Sequence, residues 1–263
     1  MNGMPVRVER CDHMMIVTID RPEARNAVNR DVHLGVGLAL EQAEADRDVR
    51  VVVLTGAGDA FCAGADLKAL GAGQPIVPDD PAQAAWGFGG YVAHAISKPT
   101  IAAVNGLALG GGLELVLASD LAVAADHAEF GLPEVTRGII AGAGGAFRLA
   151  RQMAPKLAFE LLFTGARIDA SRALELGLVN RVVPAAQVMG EALALAHAIA
   201  RNAPLAVQSA KRVARGIVDG HVASEDAAWE LNRVERQRTL DSLDAREGIR
   251  AFAEKRPPVW QAR

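Results

Sequence analysis

Aromatic residues are scarce in this chain, and cysteine almost absent. Aromatics make up 4% of the 263 residues, with a single tyrosine, too few to build base-stacking platforms. Cys11 and Cys62 are the only cysteines, and no metal spacing or disulfide framework can be made from two such distant residues. A reducing, cytoplasmic setting is therefore expected. Charge of neither sign dominates: the formal net charge is −3 and the pI about 6.1, so neither a nucleic-acid nor a membrane partner is expected. Long hydrophobic runs are missing too. The most apolar stretch, Ile101 to Ala125, is interrupted by Asn105, Glu114 and Asp120, and so lacks the roughly 18 unbroken apolar residues of a spanning helix. The stretch from Met1 to His13 has charges but no apolar h-region, and no signal peptide is expected.

What is present is a large apolar fraction, 51%, enough for a sizeable core in one large domain, or in a domain with an appendage. Met14-Met15-Ile16-Val17-Thr18-Ile19 reads as a strand that enters a loop at Asp20-Arg21-Pro22. Asp31 is placed to cap a following helix. Val51-Val52-Val53-Leu54 is continuously hydrophobic, the mark of a strand covered on both faces. Thr100-Ile101-Ala102-Ala103-Val104 and Leu121-Ala122-Val123-Ala124 read as further strands. Strand and helix alternate to about residue 190, which predicts an α/β fold with mostly parallel pairing. Residues 71–90 are rich in glycine and proline and predict a long, mobile loop. From Ala192 to Glu254 strand signals vanish, and about three helices are expected. The predicted division is a core over 1–191 and a helical region over 192–263, whose apolar face needs a partner.

Three segments carry candidate chemistry. The first is Phe61-Cys62-Ala63-Gly64-Ala65-Asp66-Leu67-Lys68. The second is Asn105-Gly106-Leu107-Ala108-Leu109-Gly110-Gly111-Gly112-Leu113-Glu114, followed by Leu115 to Asp120, and the third Phe130-Gly131-Leu132-Pro133-Glu134. In the second, a strand turns through glycines into a helix. Free N–H groups at a helix start carry partial positive charge, and glycine lets a ligand approach them, so an oxyanion or phosphate can be held there. Gly111 and Glu114, three apart, share a helix face. The glycines equally serve close helix–sheet packing, and taken alone the two readings stand level. No lysine follows them, so this is not a nucleotide phosphate loop. Glu114 lies in an apolar helix, either as a carboxylate satisfied by backbone or as an acid–base group with a raised pKa. Glu134 alone reads first as a helix first-turn acid. Asp66 reads as a cap for a helix starting near Leu67, and Asp120 as a structural helix-end or turn residue.

Taken in order, these segments resemble the enoyl-CoA hydratase/isomerase (crotonase) family. The resemblance runs from Arg21-Pro22-Glu23-Ala24-Arg25-Asn26-Ala27 through the three segments above. It continues with Gly142-Ala143-Gly144-Gly145, Arg148-Leu149 and Thr164-Gly165-Ala166 to Val179-Asn180, and ends with Glu247-Gly248 to Arg256. It implies a spiral of ββα turns with a C-terminal helical trimerisation region, assembled as a homotrimer or dimer of trimers. It implies an acyl-CoA thioester as substrate and no cofactor, CoA being part of the substrate, in the chemistry of fatty-acid β-oxidation. By motif position it puts the two oxyanion-binding amides on Ala63 and Gly111, and the acid–base pair on Glu114 and Glu134. Having both glutamates favours hydration over double-bond isomerisation, and a carnitinyl-CoA dehydratase-like reaction shares the pair. A non-catalytic acyl-CoA-binding protein is the alternative of another class. Substrate and CoA contacts are implied at Ala24, Arg25, Ala27, Ala63, Ala65, Asp66, Leu67, Lys68, Leu109, Gly110, Gly111, Pro133, Glu134 and Gly142. Phe252 and Lys255 match positions that reach CoA from a neighbouring subunit. One departure stands out: Ala141 occupies a place that is Pro in many hydratases of the family, so that side of the acyl pocket has its own shape.

Overall fold

The computed structural model describes residues 5–263; Met1 to Met4, part of the stretch inspected for a leader, lie outside them. Two sheets organise the core. The larger has six strands: β1 (Val6–Cys11), β2 (Met14–Ile19), β3 (Val51–Gly56), β5 (Thr100–Val104), β7 (Leu121–Ala125) and β10 (Arg181–Val183). β1 and β2 form an antiparallel hairpin, and every other neighbour in this sheet is parallel. β3 and β5 are buried at every residue, which is why their sequences run apolar without alternation.

The smaller sheet, β4 (Ala60–Cys62), β6 (Leu107–Leu109), β8 (Glu129–Gly131) and β9 (Arg167–Asp169), is built of three-residue strands in that spatial order. β4, β6 and β8 pair in parallel. Each follows a strand of the larger sheet in sequence, so the chain steps β3–β4, β5–β6 and β7–β8 as it winds. Three adjacent parallel strands thus release their C-terminal ends along one edge. The three motif segments leave from those ends.

Helices cover the sheets: α1 (Arg30–Ala45), α2 (Leu67–Gly71), α3 (Pro81–Ala84), α4 (Gly111–Ala118), α5 (Gly145–Gln152), α6 (Pro155–Thr164) and α7 (Ala170–Glu175). α8 (Val188–Ala200), α9 (Pro204–Arg215), α10 (Asp226–Leu240) and α11 (Leu243–Ala253) complete the chain. Several expectations need correcting. Asn29, not Asp31, caps α1, its side chain accepting the Val32 N–H, because Asp31 already lies inside the first turn. The expected boundary after residue 191 cuts α8, which packs on β3, β5 and β7. Beyond it lies a short hairpin, β11 (Ile217–Val218) with β12 (His221–Val222), in a stretch read as purely helical. Residues 71–90 are not bare loop: they hold α3, capped by Asp80, and a 3-10 turn over Phe88–Gly90. Asp66 does cap α2, accepting the Lys68 and Ala69 N–H groups. Asp120 is structural, paired with Lys211 and Arg215 at 2.8 and 2.9 Å.

Candidate active site

The site forms where β4, β6 and β8 end. After β4 the chain makes a parallel bridge between Ala65 and Val28, and Arg21 pairs with Asp66 at 2.8 Å while donating to the Ala27 carbonyl. These contacts join residues 21–28 to residues 63–68, so Ala24, Arg25 and Ala27 do lie beside the first motif. Arg25, Leu67 and Lys68 are exposed there. Burial opposes the Asp66 charge, yet the Ala69 and Lys68 amides and Arg21 hold its pKa below the ordinary value.

The structure corrects one expected role. The Ala63 N–H donates to the Arg25 carbonyl at 3.0 Å, so it is already engaged and is not free to bind an oxyanion. The bridge to Val28 uses the Gly64 carbonyl and the Asp66 N–H. The Ala65 N–H between them has no acceptor among the described residues. Opposite stands the start of α4. Gly110, at φ 54° and ψ −124°, sets the turn, and the helix has no side-chain cap, which leaves the Gly111 N–H unpaired. A Cβ on Gly64 would lie 3.1 Å from that nitrogen, so the two strand ends meet closely. A Cβ on Gly112 would come within 1.9 Å of the Cys62 carbonyl oxygen. Both glycine readings therefore hold: Gly112 allows close packing, and Gly111 offers a donor.

Glu114 is 3% exposed. Its Oε1 accepts the N–H groups of Ala143 and Gly145 at 2.7 and 2.9 Å. Burial raises its pKa to about 7, although those two bonds and the charges of Arg148 and Arg236 pull it down. Glu134 sits in the 3-10 turn Pro133–Arg137, with Oε1 3.1 Å from where a Gly110 Cβ would be. Its Oε2 is buried without a partner. Burial and the nearby Glu114 charge raise its pKa to about 8. Two carboxyl groups that repel each other's ionisation therefore flank the glycine turn.

Several residues at the site carry no individual signal in the sequence. Ala143 and Gly145 belong to a glycine-rich motif, and the amides that hold Glu114 have no side-chain signature. Arg148 and Glu225, 6% and 8% exposed, pair in two-pronged fashion behind Glu114 at 3.1 and 2.6 Å. Helix α10 covers the 142–145 turn. A Cβ on Gly144 would meet the Trp229 ring at 3.0 Å, and one on Gly142 would meet Arg236 Cδ at 2.5 Å. Asn232 donates to the Gly142 carbonyl at 2.8 Å. The spacing 229, 232, 236 is one helix face, a signal present in the sequence but without a stated partner. Phe88 lies on Gly111, its ring 2.3 Å from a Cβ built there. Leu109 ends β6, directly before the glycine turn. Phe252 packs on Arg137, the guanidinium 4.0 Å from the ring centre, close to the Glu134 turn but within the same chain. The Lys255 side chain makes no hydrogen bond or ion pair among the described residues.

Residues 9–263 match the family model described as enoyl-CoA hydratase/isomerase. The chain belongs to that family. It is 40% identical to enoyl-CoA hydratase EchA19 of Mycobacterium tuberculosis, covering 100% of this chain and 98% of the relative. It is 41% identical to carnitinyl-CoA dehydratase of Proteus mirabilis, over 94% of each. Among solved structures, a carnitinyl-CoA hydratase from Mycobacterium avium superposes with a TM-score of 0.97 at 55% identity, covering 100% of both chains. An enoyl-CoA hydratase from Mycobacterium tuberculosis superposes at 0.77 with 41% identity, over 99% of this chain and 100% of the other. The crotonase-like fold expected from the motifs is the fold found.

Proposed function

We propose that the protein adds water reversibly to the double bond of a 2-enoyl-CoA thioester, with Glu114 and Glu134 moving the protons. The observation that carries this reading is the pair of unequal buried carboxyl groups beside the unpaired amides of Ala65 and Gly111. As hydroxide adds to the β carbon, charge moves to the thioester oxygen. Amides preorganised to receive it lower the barrier, by roughly 2.7–4 kcal/mol for one donor in related sites. Glu114 Oε1 is fixed by Ala143 and Gly145, leaving Oε2 to take a proton from the attacking water. Glu134, whose Oε2 is buried without a partner and whose ionisation is opposed by burial and by the Glu114 charge, keeps its proton and delivers it to the α carbon. One proton goes to Glu114 and one leaves Glu134, so H and OH add across the bond with overall balance. The reverse path removes water.

Residues 24–27 and 63–68, with Leu109, Gly110, Pro133 and Gly142, line the thioester path in this reading; Phe252, packed on Arg137, borders it from α11 of the same chain, and Lys255 reaches CoA from a neighbouring subunit. No cofactor is required by the chemistry, since CoA is the handle of the substrate. The exposed Leu205, Val213, Leu231, Val234 and Ile249 on α9–α11 support assembly of the 192–263 region into a homotrimer or dimer of trimers. Unpaired Cys11 and Cys62 support a cytoplasmic setting, and among the described residues no helix is long and apolar enough to cross a membrane. The test is turnover of crotonyl-CoA followed by mass. A product heavier by one water supports hydration. A product of unchanged mass with a moved double bond supports isomerisation instead, and no product with tight binding supports a binding protein. The Mycobacterium avium likeness favours a second reading, dehydration of a carnitinyl-type thioester, tested with that substrate in the same assay.

A further inference from the structure

The face of α10 that covers the Glu114-holding turn carries a cation and an unsatisfied acceptor. Arg236 lays its stem over Gly142, with Cδ 2.5 Å and Nε 3.1 Å from a Cβ built there. Its neighbours in charge are already matched: Arg233 with Glu230, Glu235 with Arg238, and Arg148 with Glu225. Arg236 has no carboxylate within 4.0 Å among the described residues, and the acid that feels its charge is Glu114. One turn back, Asn232 is 9% exposed; its Nδ2 is bound to the Gly142 carbonyl, and its Oδ1 is buried without a partner. Arg236 is exposed, so its unpaired guanidinium is open to an anionic ligand, and an unsatisfied buried acceptor lies one turn away.

We propose that Arg236, with Asn232 beside it, reads the far end of the acyl chain and selects 2-enoyl-CoA thioesters that end in a carboxylate. The inference rests on the hydration reading for its direction. If Glu114 holds water over the β carbon, the atoms beyond that carbon run past Glu114 toward the 142–145 turn and the α10 face upon it. A carboxylate there meets a guanidinium that forms charge-assisted bonds in a planar fork. A quaternary ammonium offers no donor and meets a like charge. The site thus discriminates against the cationic acyl end by the same residue that attracts the anionic one.

Three probes differing at the γ carbon test this: crotonyl-CoA, its 4-carboxy derivative and its 4-trimethylammonio derivative. The expected order of kcat/KM is anionic, then neutral, then cationic, with a step of roughly 10-fold for the carboxylate, the weaker end of what a charge-assisted hydrogen bond supplies. Arg236→Met keeps a stem on Gly142 and brings the anionic-to-neutral ratio toward one; Arg236→Glu reverses the order. A wild-type preference for the cationic probe, or an order that survives Arg236→Glu, overturns the proposal. Calorimetric binding of the saturated thioesters butyryl-CoA and glutaryl-CoA separates selectivity from chemistry. Equal affinity overturns the proposal. Tighter binding of glutaryl-CoA, without turnover of any enoyl probe, sustains the selectivity and removes the hydration reading.

Discussion

Glu114 and Glu134 flank one glycine turn but are held in opposite ways: the first gives Oε1 to two backbone N–H groups, while the second keeps a buried Oε2 with no partner. The first environment supports a carboxylate and the second an uncharged acid. Each raises the other's cost of ionisation, so the natural resting state of the pair carries one proton. A hydration that consumes one base and one acid needs that state.

Replacing either carboxyl by its isosteric amide removes one half of the pair. Glu114→Gln and Glu134→Gln are each expected to lower crotonyl-CoA hydration by about 10²–10⁴-fold, the usual worth of a positioned acid or base. CoA-thioester affinity, measured by calorimetry, is expected to persist. Unchanged turnover in both variants would falsify the assignment.

The pH profile follows from the same pair. Glu114 must be ionised, and its pKa stands near 7; Glu134 must be protonated, and its pKa stands near 8. The expected kcat/KM profile is a narrow bell centred in the neutral range, well above the ordinary carboxylate range, its two apparent values belonging to the pair. Stability has a single sign here. Both folded pKa values lie above the ordinary 4.5, so the folded chain binds the protons more tightly. That contribution is full below pH 4.5 and is lost as the pH rises through 7 and 8. Denaturation of wild type and Glu134→Gln across this range should show the smaller loss in the variant, and parallel curves would contradict the burial argument.

Arg148 is the strongest of the charges that temper Glu114. Arg148→Met is expected to move the acid limb of the profile to higher pH, since the carboxylate loses a stabilising cation. It also strands Glu225, at a cost of about 3–5 kcal/mol in stability. Glu225→Gln keeps the cation and separates the effects: it should destabilise while leaving the acid limb nearer its wild-type position. If the two variants shift the limb equally, Arg148 does not act on Glu114 through its charge.

The larger sheet was legible because burial on both faces writes itself as unbroken apolar runs, as at Val51 to Leu54 and Thr100 to Val104. The smaller sheet was not, since strands such as Leu107–Leu109 are too short to show a period. Both glutamates stood out as charges in apolar surroundings, and their motifs named them. Ala63 was placed by motif in a role that its hydrogen bond to Arg25 forbids. Which amide in Ala63-Gly64-Ala65 is free depends on the direction of a bridge to Val28, and composition holds no record of it. Arg236 and Asn232 lay hidden for another reason: the turn they cover is about ninety residues earlier, and a helix face does not announce its partner.

His33 links acid stability to the floor of the site. It is fully buried in α1; Nε2 lies 3.0 Å from the Gln83 carbonyl and so donates to it, and Nδ1 is buried without a partner. Its ring stacks on Trp86, which stacks in turn on His94 with centres 5.2 Å apart. The same segment carries Phe88 onto Gly111. Burial lowers the His33 pKa, the Gln83 bond opposes this, and His94 and Arg30 lower it further; burial lowers His94 as well. With the folded values below the ordinary 6.5, the unfolded chain takes up protons first. The stabilising contribution is full above pH 6.5 and is lost as the pH falls toward the folded pKa values, by up to about 1.4 kcal/mol per pH unit for each histidine. His33→Gln keeps a donor for the Gln83 carbonyl and removes the titration. Urea denaturation between pH 5 and pH 7 should therefore show a shallower acid decline in the variant than in wild type. Identical slopes would mean that His33 does not couple protons to the packing of residues 81–94.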